Sequence, residues 1–251
     1  MKSQFDFHRF IQLLKLELFQ SRKGIAMILV ITFGALFFIG FLLSLFIERP
    51  ATYDHTESFG GALMLGGFIV SSLAFSGIDR KLRRIGFLML PVSSLERFIC
   101  AWLLTCIGWL LAFSVGFAIY VMIANPIGQM LFPDTAFKGF NPFGSVGLLT
   151  MKVYAVLQGI FLVGAAKFRG YVFPKTMVVI ISVLTVCGFV IFFALKEEFT
   201  SDHYCTVTGE CELVDAFALH SVYSVAKVLF WYVLAPLTWV IAYFGLKDQE
   251  A

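Results

Sequence analysis

Six stretches of this chain are apolar over about the length that a helix needs to cross a bilayer, roughly 20 residues. Five of them contain no charged residue, and the fourth contains one, Lys152. They span 25–47, 59–78, 98–124, 146–166, 176–195 and 228–246. Only 14% of the residues are charged, whereas soluble domains carry roughly 25%. The sequence therefore predicts an all-α integral membrane protein with about six transmembrane helices in one domain over 25–246, preceded by 1–24 and followed by a tail, 247–251.

The basic residues are unevenly distributed between the two sides of the predicted bundle. Of the 19 Lys and Arg residues, 14 fall in segments that share a side if the N-terminus is inside, namely 1–24, 79–97, 167–175 and 247–251. Cytoplasmic loops of membrane proteins are enriched in Lys and Arg, so both termini are expected in the cytoplasm. The basic residues spread through 1–24 also argue against a cleavable signal peptide. The first apolar stretch is therefore expected to remain as a span.

Residues 5–20 carry a stripe of apolar side chains ahead of the first span. Its members are Phe7, Phe10, Ile11, Leu14 and Leu18. They recur at the three- and four-residue spacing of one helix face, which is typical of a helix that lies along a membrane surface. Two interpretations stay open: a lipid-surface anchor, or a helix that also packs against a cytoplasmic partner.

The segment between the second and third spans combines a basic cluster with a helix-start signal. Its basic residues are Arg80, Lys81, Arg83 and Arg84. After Pro91, Ser93 and Glu96 form the S-x-x-E pattern of a capping box, in which each side chain binds the backbone N–H of the other residue. The third helix is therefore predicted to begin near Ser93. The basic cluster is explained either by membrane topology alone or by a docking surface.

The external loop 196–227 is acidic and contains Cys205 and Cys211. Two cysteines at this spacing, outside the membrane, suit a small disulfide-closed loop in an oxidising compartment. Two free thiols are the alternative. Within the same loop, Leu213–Tyr223 is expected to form a helical segment at the outer surface before the sixth span.

The other long external loop, 125–145, is rich in proline and phenylalanine. Its prolines are Pro126, Pro133 and Pro142. Because proline lacks a backbone N–H and clashes with the preceding turn, the loop is not expected to contain a long helix. Its phenylalanines suit the aromatic belt at a membrane surface.

Several kinds of chemistry find no support in the sequence. The chain has no G-x-x-x-x-G-K-[ST] segment to wrap a nucleotide phosphate, and in the nearest approach, 170–176, Pro174 occupies the second glycine position. None of the six spans contains Asp or Glu, on which ion-coupled carriers usually rely. The four His residues are scattered, which disfavours a metal site or a catalytic centre. Nucleic-acid binding lacks its usual basic and aromatic surface, and no enzymatic activity is expected.

Polar or small residues inside two spans have alternative interpretations. In the second span, Gly66-Gly67 and Ser71-Ser72 could break the helix to form a sodium site, or could allow close helix packing. In the fourth span, Lys152 and Gln158 could contact a substrate along an internal path. The alternative is that the long Lys152 side chain extends to the outer membrane interface.

Together these features resemble the membrane subunit of ABC exporters of the type-2 class. The resemblance rests on the amphipathic helix 5–20, on six spans with both ends inside, and on the elongated loop between spans five and six. Its most specific local part is the segment Leu88-Met-Leu-Pro-Val-Ser-Ser-Leu-Glu-Arg97. A similar Leu-Pro-Val-Ser run precedes the third span in bacterial members.

This resemblance implies a division of labour between subunits. A separate cytoplasmic ABC ATPase would bind ATP and Mg²⁺, while this chain would need no cofactor of its own. It would pair with a second permease subunit, as a homodimer or a heterodimer, in the bacterial inner membrane. Arg80–Leu90 would be the coupling helix and Leu213–Tyr223 an outer gate element. The residues implied at the ATPase contact are Arg80, Lys81, Arg83, Arg84, Phe87, Leu88 and Glu96.

The substrate class follows from the apolar, phenylalanine-rich spans. A hydrophobic or amphipathic molecule, such as a lipid, a peptide or a drug-like compound, fits these spans better than a sugar or an ion. An alternative function of a different class is a non-transporting membrane scaffold or sensor in a surface or motility complex. Co-purification of an ATPase would favour the exporter over the scaffold.

Overall fold

The computed structural model describes residues 5–46, 52–75, 92–133, 135–200, 224–225 and 227–250, and this part of the chain is almost entirely helical. Helix α1 (Phe7–Phe46) is one helix of 40 residues, so the expected surface helix and the first span are continuous. The junction contains no proline, and the Ser21 hydroxyl donates back to the Glu17 carbonyl oxygen (2.7 Å) within the helix. At 1.5 Å per residue, α1 is about 60 Å long, about twice the hydrocarbon thickness of a bilayer. Its first part therefore extends beyond the membrane.

Helix α2 (Thr56–Ser72) follows a two-residue strand, β1 (Thr52–Tyr53). At 17 residues, α2 is shorter than the predicted span 59–78, and the last three residues of that span lie outside the described residues.

Next comes a continuous helical rod made of α3 (Ser94–Leu103), a π-helical segment π1 (Leu104–Gly108) and α4 (Trp109–Leu131). The predicted start of this helix is confirmed. Ser93 is its N-cap, and both reciprocal bonds of the capping box with Glu96 are present.

The end of α4 differs from the prediction for loop 125–145. The helix continues through Pro126 to Leu131, so it extends seven residues beyond the predicted end of the third span at 124 and into the predicted loop. The missing N–H of one proline removes only one helical hydrogen bond. The Asn125 side chain beside it bonds to the His55 ring and to the Lys138 carbonyl oxygen, and these bonds hold the helix end in place.

The remaining elements complete a helical bundle. Strand β2 (Ala136–Phe137) pairs in parallel with β1 and connects the segment before α2 with the segment after α4. Helices α5 (Ser145–Lys167) and α6 (Val172–Thr200) follow, and a second π-helical segment, π2 (Leu229–Leu234), leads into α7 (Ala235–Glu250).

In the part of the chain that the structure describes, five helical stretches are long and apolar enough to cross a membrane: Phe7–Leu42, Ser94–Leu131, Ser145–Lys167, Val172–Val190 and Leu229–Asp248. Their outward faces expose large apolar side chains, for example Val30 (72%) and Leu184 (65%). Such surfaces suit lipid rather than water. The predicted all-α membrane architecture is confirmed at this level.

The main core joins α1, α2, α4 and α5 through aromatic rings. Phe59, Trp109, Phe113, Phe117 and Tyr154 are each at most 1% exposed. The rings of Trp109 and Tyr154 lie directly on the two adjacent glycines of α2. A Cβ atom at residue 66 would be 2.5 Å from the Trp109 ring, and one at residue 67 would overlap the Tyr154 ring. The glycine pair therefore serves close packing, as one of the two interpretations of its sequence predicted.

A second core lies where α5 and α7 pack together. Leu162, Ala242 and Leu246 have no exposed surface, and they contact Ala165, Ala166 and Phe75. A small residue again allows two helices to approach closely, because Gly159 of α5 lies directly against Thr238 of α7.

The packing on α2 predicts the effect of adding one methyl group. Gly67→Ala should lower stability by about 1–3 kcal/mol, the usual cost of overpacking, because the new Cβ overlaps the Tyr154 ring. Gly61→Ala in the same helix is the matched control, since a Cβ there meets nothing within 4 Å and Ala favours helix by about 1 kcal/mol over Gly. The measurement is the thermal unfolding midpoint in detergent. Equal midpoints for Gly67→Ala and Gly61→Ala would contradict the packing.

Candidate functional site

The first candidate site is a buried carboxylate at the start of α3. Glu96 has no exposed surface. Its Oε2 accepts from the Ser93 backbone N–H (2.8 Å), and its Oε1 accepts from the Asp6 backbone N–H (2.8 Å). The Arg9 guanidinium lies 3.4 Å from the same Oε1. One side chain thus joins the segment before α3, the start of α3 and the residues that lead into α1.

Apolar and charged contacts extend this junction along the two helices. Phe10 and Leu13 of α1 pack on Cys100 of α3, which is 1% exposed. Two turns further along α1, Glu17 interacts electrostatically with Arg97, which is itself buried. We call this contact between the first turns of α1 and α3, centred on Glu96 and Cys100, the cytoplasmic junction, after the side of the membrane on which the sequence predicts it.

The cytoplasmic junction accounts for part of the apolar stripe predicted on 5–20. Phe10 is buried against α3, whereas Phe7 and Leu18 are 67% and 53% exposed. The stripe therefore divides between an intramolecular contact and an outer surface. The contact with α3 was not foreseen, because the sequence left only lipid or a separate partner as candidates.

The residues implied at the ATPase contact fall into two groups. Arg80, Lys81, Arg83, Arg84, Phe87 and Leu88 lie outside the described residues. Glu96 is described and points into the cytoplasmic junction rather than to solvent.

The second candidate site is a buried polar network around π1. The Tyr154 hydroxyl donates to the Thr105 carbonyl oxygen (2.7 Å) and lies 3.5 Å from the Ser71 hydroxyl. The Gln158 amide donates from Nε2 to Thr105 Oγ1 (3.1 Å), and Thr105 Oγ1 in turn donates to the Ala101 carbonyl oxygen (2.8 Å). The network links α2, π1 and α5.

The π-helical turn explains why Thr105 can take part in this network. A π-bulge shifts the backbone hydrogen-bond pattern of a helix, and such bulges occur frequently at functional sites. At π1 the Thr105 carbonyl accepts from a side chain of another helix instead of serving only its own helix. In a bilayer interior no water can replace this bond if it breaks. The bond therefore favours the observed alignment of the two helices.

Lys152 and Gln158 of α5, predicted together as a substrate path, are not brought together. Lys152 is exposed, while Gln158 has no exposed surface and belongs to the network around π1. Six residues at 100° each place the two side chains about 120° apart around the helix. Of the predicted pair, only Gln158 lies inside the bundle.

A third polar cluster lies at the N-terminal end of α2 and the C-terminal end of α4, the end of the bundle that the sequence predicts to be external. His55 is 3% exposed, and its Nε2 lies 2.7 Å from Asn125 Oδ1. The Asn125 Nδ2 donates to the Lys138 carbonyl oxygen (3.3 Å), and the Lys138 N–H donates to the Tyr53 carbonyl oxygen (3.0 Å). These bonds hold the start of α2 and the end of α4 together. The role of His55 could not be predicted from the sequence, because its partner is 70 residues away.

Other predicted features lie outside the described residues: Cys205, Cys211 and Leu213–Tyr223. Within the described ranges, no group of three or more His, Cys, Asp or Glu residues is arranged to hold a metal ion. Cys100, Cys106 and Cys187 are free thiols.

Comparison of the chain with protein-family models, with curated proteins and with solved structures found no match in any of the three. The resemblance to type-2 ABC exporters therefore stays a hypothesis based on the sequence pattern.

The cytoplasmic junction predicts the chemical accessibility of Cys100. Glu96→Ala removes the carboxylate that binds the Ser93 and Asp6 backbone N–H groups and pairs with Arg9. Loss of one hydrogen bond to a charged group costs about 1.5–3 kcal/mol, so α1 should separate from α3 on the order of tenfold more often. The measurement is the rate at which a maleimide labels Cys100 in a variant whose other four cysteines are replaced.

The control for this prediction is Asp6→Asn. It alters a carboxylate whose side chain is 52% exposed and whose ion pair with Arg9 is 3.6 Å long, while the Asp6 backbone N–H is retained. Exposed ion pairs contribute about 0–1 kcal/mol, so labelling should change little. A Glu96→Ala protein that labels no faster than the Asp6→Asn protein contradicts the role assigned to Glu96.

Proposed function

We propose that this chain is the membrane-spanning permease subunit of an ATP-driven exporter of the type-2 ABC class. A separate cytoplasmic ATPase supplies the energy, binding ATP and Mg²⁺, and a second permease subunit completes the transport path. The observation that carries the proposal is the buried Glu96 carboxylate, which binds the Asp6 and Ser93 backbone N–H groups and pairs with Arg9.

Glu96 connects the segment before α3 to the starts of both α1 and α3. The basic segment 80–90 ends three residues before Ser93, whose backbone N–H is held by Glu96. A displacement of that segment therefore moves the start of α3 and, through Asp6, the start of α1. In an exporter, this displacement is the motion that an ATPase delivers when it closes on ATP.

The coupling extends along α3 to π1, which lies inside the bundle. Leu104, its first residue, lies six residues after Phe98, where the predicted third span begins, which is about 9 Å along the helix axis into a core about 30 Å thick. There the Thr105 carbonyl oxygen binds the Tyr154 hydroxyl of α5. Movement of α3 is in this way coupled to α5 at the depth where a substrate path would lie.

The lack of acidic residues in the predicted spans supports the same proposal. The six apolar stretches contain no Asp or Glu, and membrane carriers driven by protons or sodium usually depend on such groups. The chain has neither a nucleotide-binding loop nor carboxylates in its spans. Its energy source is therefore an ATPase in another subunit.

The proposal also assigns the number of spans and the side of the membrane on which each end of the bundle lies. The five membrane-length helices together with α2 make six spans, with both termini in the cytoplasm of a bacterium and the chain in its inner membrane. The cluster of His55 and Asn125 then lies at the outer surface, and the cytoplasmic junction at the inner one. The substrate is hydrophobic or amphipathic.

The proposal predicts separate effects for docking and for transmission. Replacing Arg80, Lys81, Arg83 and Arg84 with Gln should abolish co-purification of the ATPase in mild detergent. Glu96→Ala should leave the ATPase bound but reduce transport-coupled ATP hydrolysis by about tenfold or more, because the docked segment no longer moves α1 and α3 together. The measurements are subunit stoichiometry and ATPase activity of the purified complex.

A matched control removes the same number of cytoplasmic charges elsewhere, with Gln at Lys23, Arg169, Lys175 and Lys247. This variant should retain the ATPase. A wild-type chain that purifies from crosslinked native membranes without any ATPase contradicts the exporter and favours the scaffold or sensor.

The outer loop provides a further prediction. If 196–227 faces an oxidising compartment, Cys205 and Cys211 form a disulfide. Intact-protein mass spectrometry with alkylation before and after reduction should show two additional alkyl groups only after reduction. Cys205→Ser is the control, because it should leave Cys211 open to alkylation without reduction. Full alkylation of the unreduced wild-type protein would exclude the bond.

A further inference from the structure

Two tryptophans from different helices meet where α3, α5 and α7 come together. Trp102 of α3 and Trp239 of α7 lie edge to face, with ring centroids 5.1 Å apart and planes at 72°. Both rings pack beside the second core, which includes Leu162 of α5. We call this place the tryptophan junction.

The indole N–H groups at the tryptophan junction have no partner among the described residues. Both Nε1 atoms are buried, and no described atom accepts a hydrogen bond from either. An edge-to-face pair can direct the N–H of only one ring toward the face of the other. At least one buried donor is therefore unsatisfied within the pair. Buried polar groups are nearly always hydrogen-bonded, so a donor of this kind points to a ligand.

An unpaired acceptor belongs to a residue that is next in sequence to one contacting the tryptophan junction. Gln158 donates from Nε2 to Thr105, but no described residue donates to its buried Oε1. The next residue, Gly159, lies against the Trp239 ring: a Cβ there would be 3.2 Å from Cδ1, the carbon bonded to Nε1. Thr105 is one helical turn after Trp102. The unpaired donors and the unpaired acceptor therefore share one region of the bundle.

Another tryptophan of the same helical rod shows that unpaired indoles are not general in this protein. Trp109 lies seven residues after Trp102, and its Nε1 donates to the Leu63 carbonyl oxygen at 3.1 Å. Where an indole serves only to pack helices together, as at Trp109, the neighbouring helix supplies a hydrogen-bond acceptor for its N–H group.

The depth of the junction excludes a charged ligand group. Trp102 is five residues beyond Arg97, about 8 Å further along the helix, and the spans carry no carboxylate to neutralise a cation. Burying an unpaired charge in this environment is far more costly than burying a neutral polar group. A group that fits must be neutral and must both accept and donate.

We propose that the tryptophan junction binds the neutral hydrogen-bonding group of an apolar ligand. The ligand's acceptor takes a hydrogen bond from Trp102 or Trp239, and its donor binds Gln158 Oε1. A secondary amide on a hydrocarbon chain supplies both functions, whereas the corresponding ester supplies only the acceptor. The inference rests on the proposed function only in identifying this ligand as a transport substrate, because binding itself requires no ATPase.

The test compares two probes of nearly equal size, N-methyl tetradecanamide and methyl tetradecanoate, in radiolabelled form. Their binding to the purified chain in lipid nanodiscs is measured without an ATPase. The wild-type protein should bind the amide about tenfold more tightly than the ester, which corresponds to about 1.4 kcal/mol. Gln158→Leu should remove this preference by lowering the affinity for the amide to that for the ester.

The tryptophans are tested by Trp102→Phe with Trp239→Phe, which keeps aromatic rings but removes both N–H groups. Both probes should then bind about tenfold more weakly, while Trp231→Phe, outside the junction, should change neither affinity. If the double variant does not fold, Trp239→Phe alone and Gln158→Leu carry the test. Equal wild-type affinities for amide and ester, or full amide binding by the tryptophan variants, would overturn the proposal. Amide binding by a chain that purifies from crosslinked native membranes without any ATPase would support the site while contradicting the exporter.

Discussion

The burial of the Glu96 carboxylate is the constraint on which the cytoplasmic end of this bundle depends. A carboxylate removed from water must recover its hydrogen bonds from the protein, since a buried, unpaired charge is prohibitively costly. Here the Ser93 and Asp6 backbone N–H groups and the Arg9 guanidinium supply them. Two of these groups lie about 90 residues away in the sequence. Satisfying a single side chain therefore fixes α1 against α3.

The placement of α3 then determines the polar interior of the bundle. Its continuation through π1 presents the Thr105 carbonyl oxygen to Tyr154, and the Tyr154 ring lies on Gly67 of α2. In a membrane, helices gain little from excluding lipid from one another, so close packing and hydrogen bonds decide their arrangement. The glycine contacts and the network around π1 supply both. Gln158, which belongs to this network, and the neighbouring tryptophan junction both carry buried polar atoms that have no partner among the described residues.

Local features of this fold could be predicted from the sequence, and long-range ones could not. The apolar stretches identify membrane helices because a helix must shield its own backbone in lipid. The capping box at Ser93 is readable because its partners are three residues apart. The contact of Gly66 and Gly67 with aromatic rings follows from the need for small residues at helix crossings.

Three features depended on tertiary contacts that the sequence does not encode locally. The apolar stripe on 5–20 indicated a surface helix, but part of it packs on Cys100, whose position in space depends on the fold. Pro126 suggested a helix end, yet the bonds that Asn125 makes with His55 and Lys138 hold the helix beyond it. The π-helical turn at Thr105 has no residue signature, because its stabilising partner, Tyr154, is 49 residues away.

The most direct test of the central claim is the distance between α1 and α3 at their cytoplasmic ends. Spin labels at Lys15 and Leu95, both exposed positions, report it by double electron–electron resonance in a background without the five native cysteines. If Glu96 fixes the two helices together, the otherwise native protein gives one narrow distance distribution, and Glu96→Ala broadens it. A distribution that is equally broad with and without Glu96 would contradict the account.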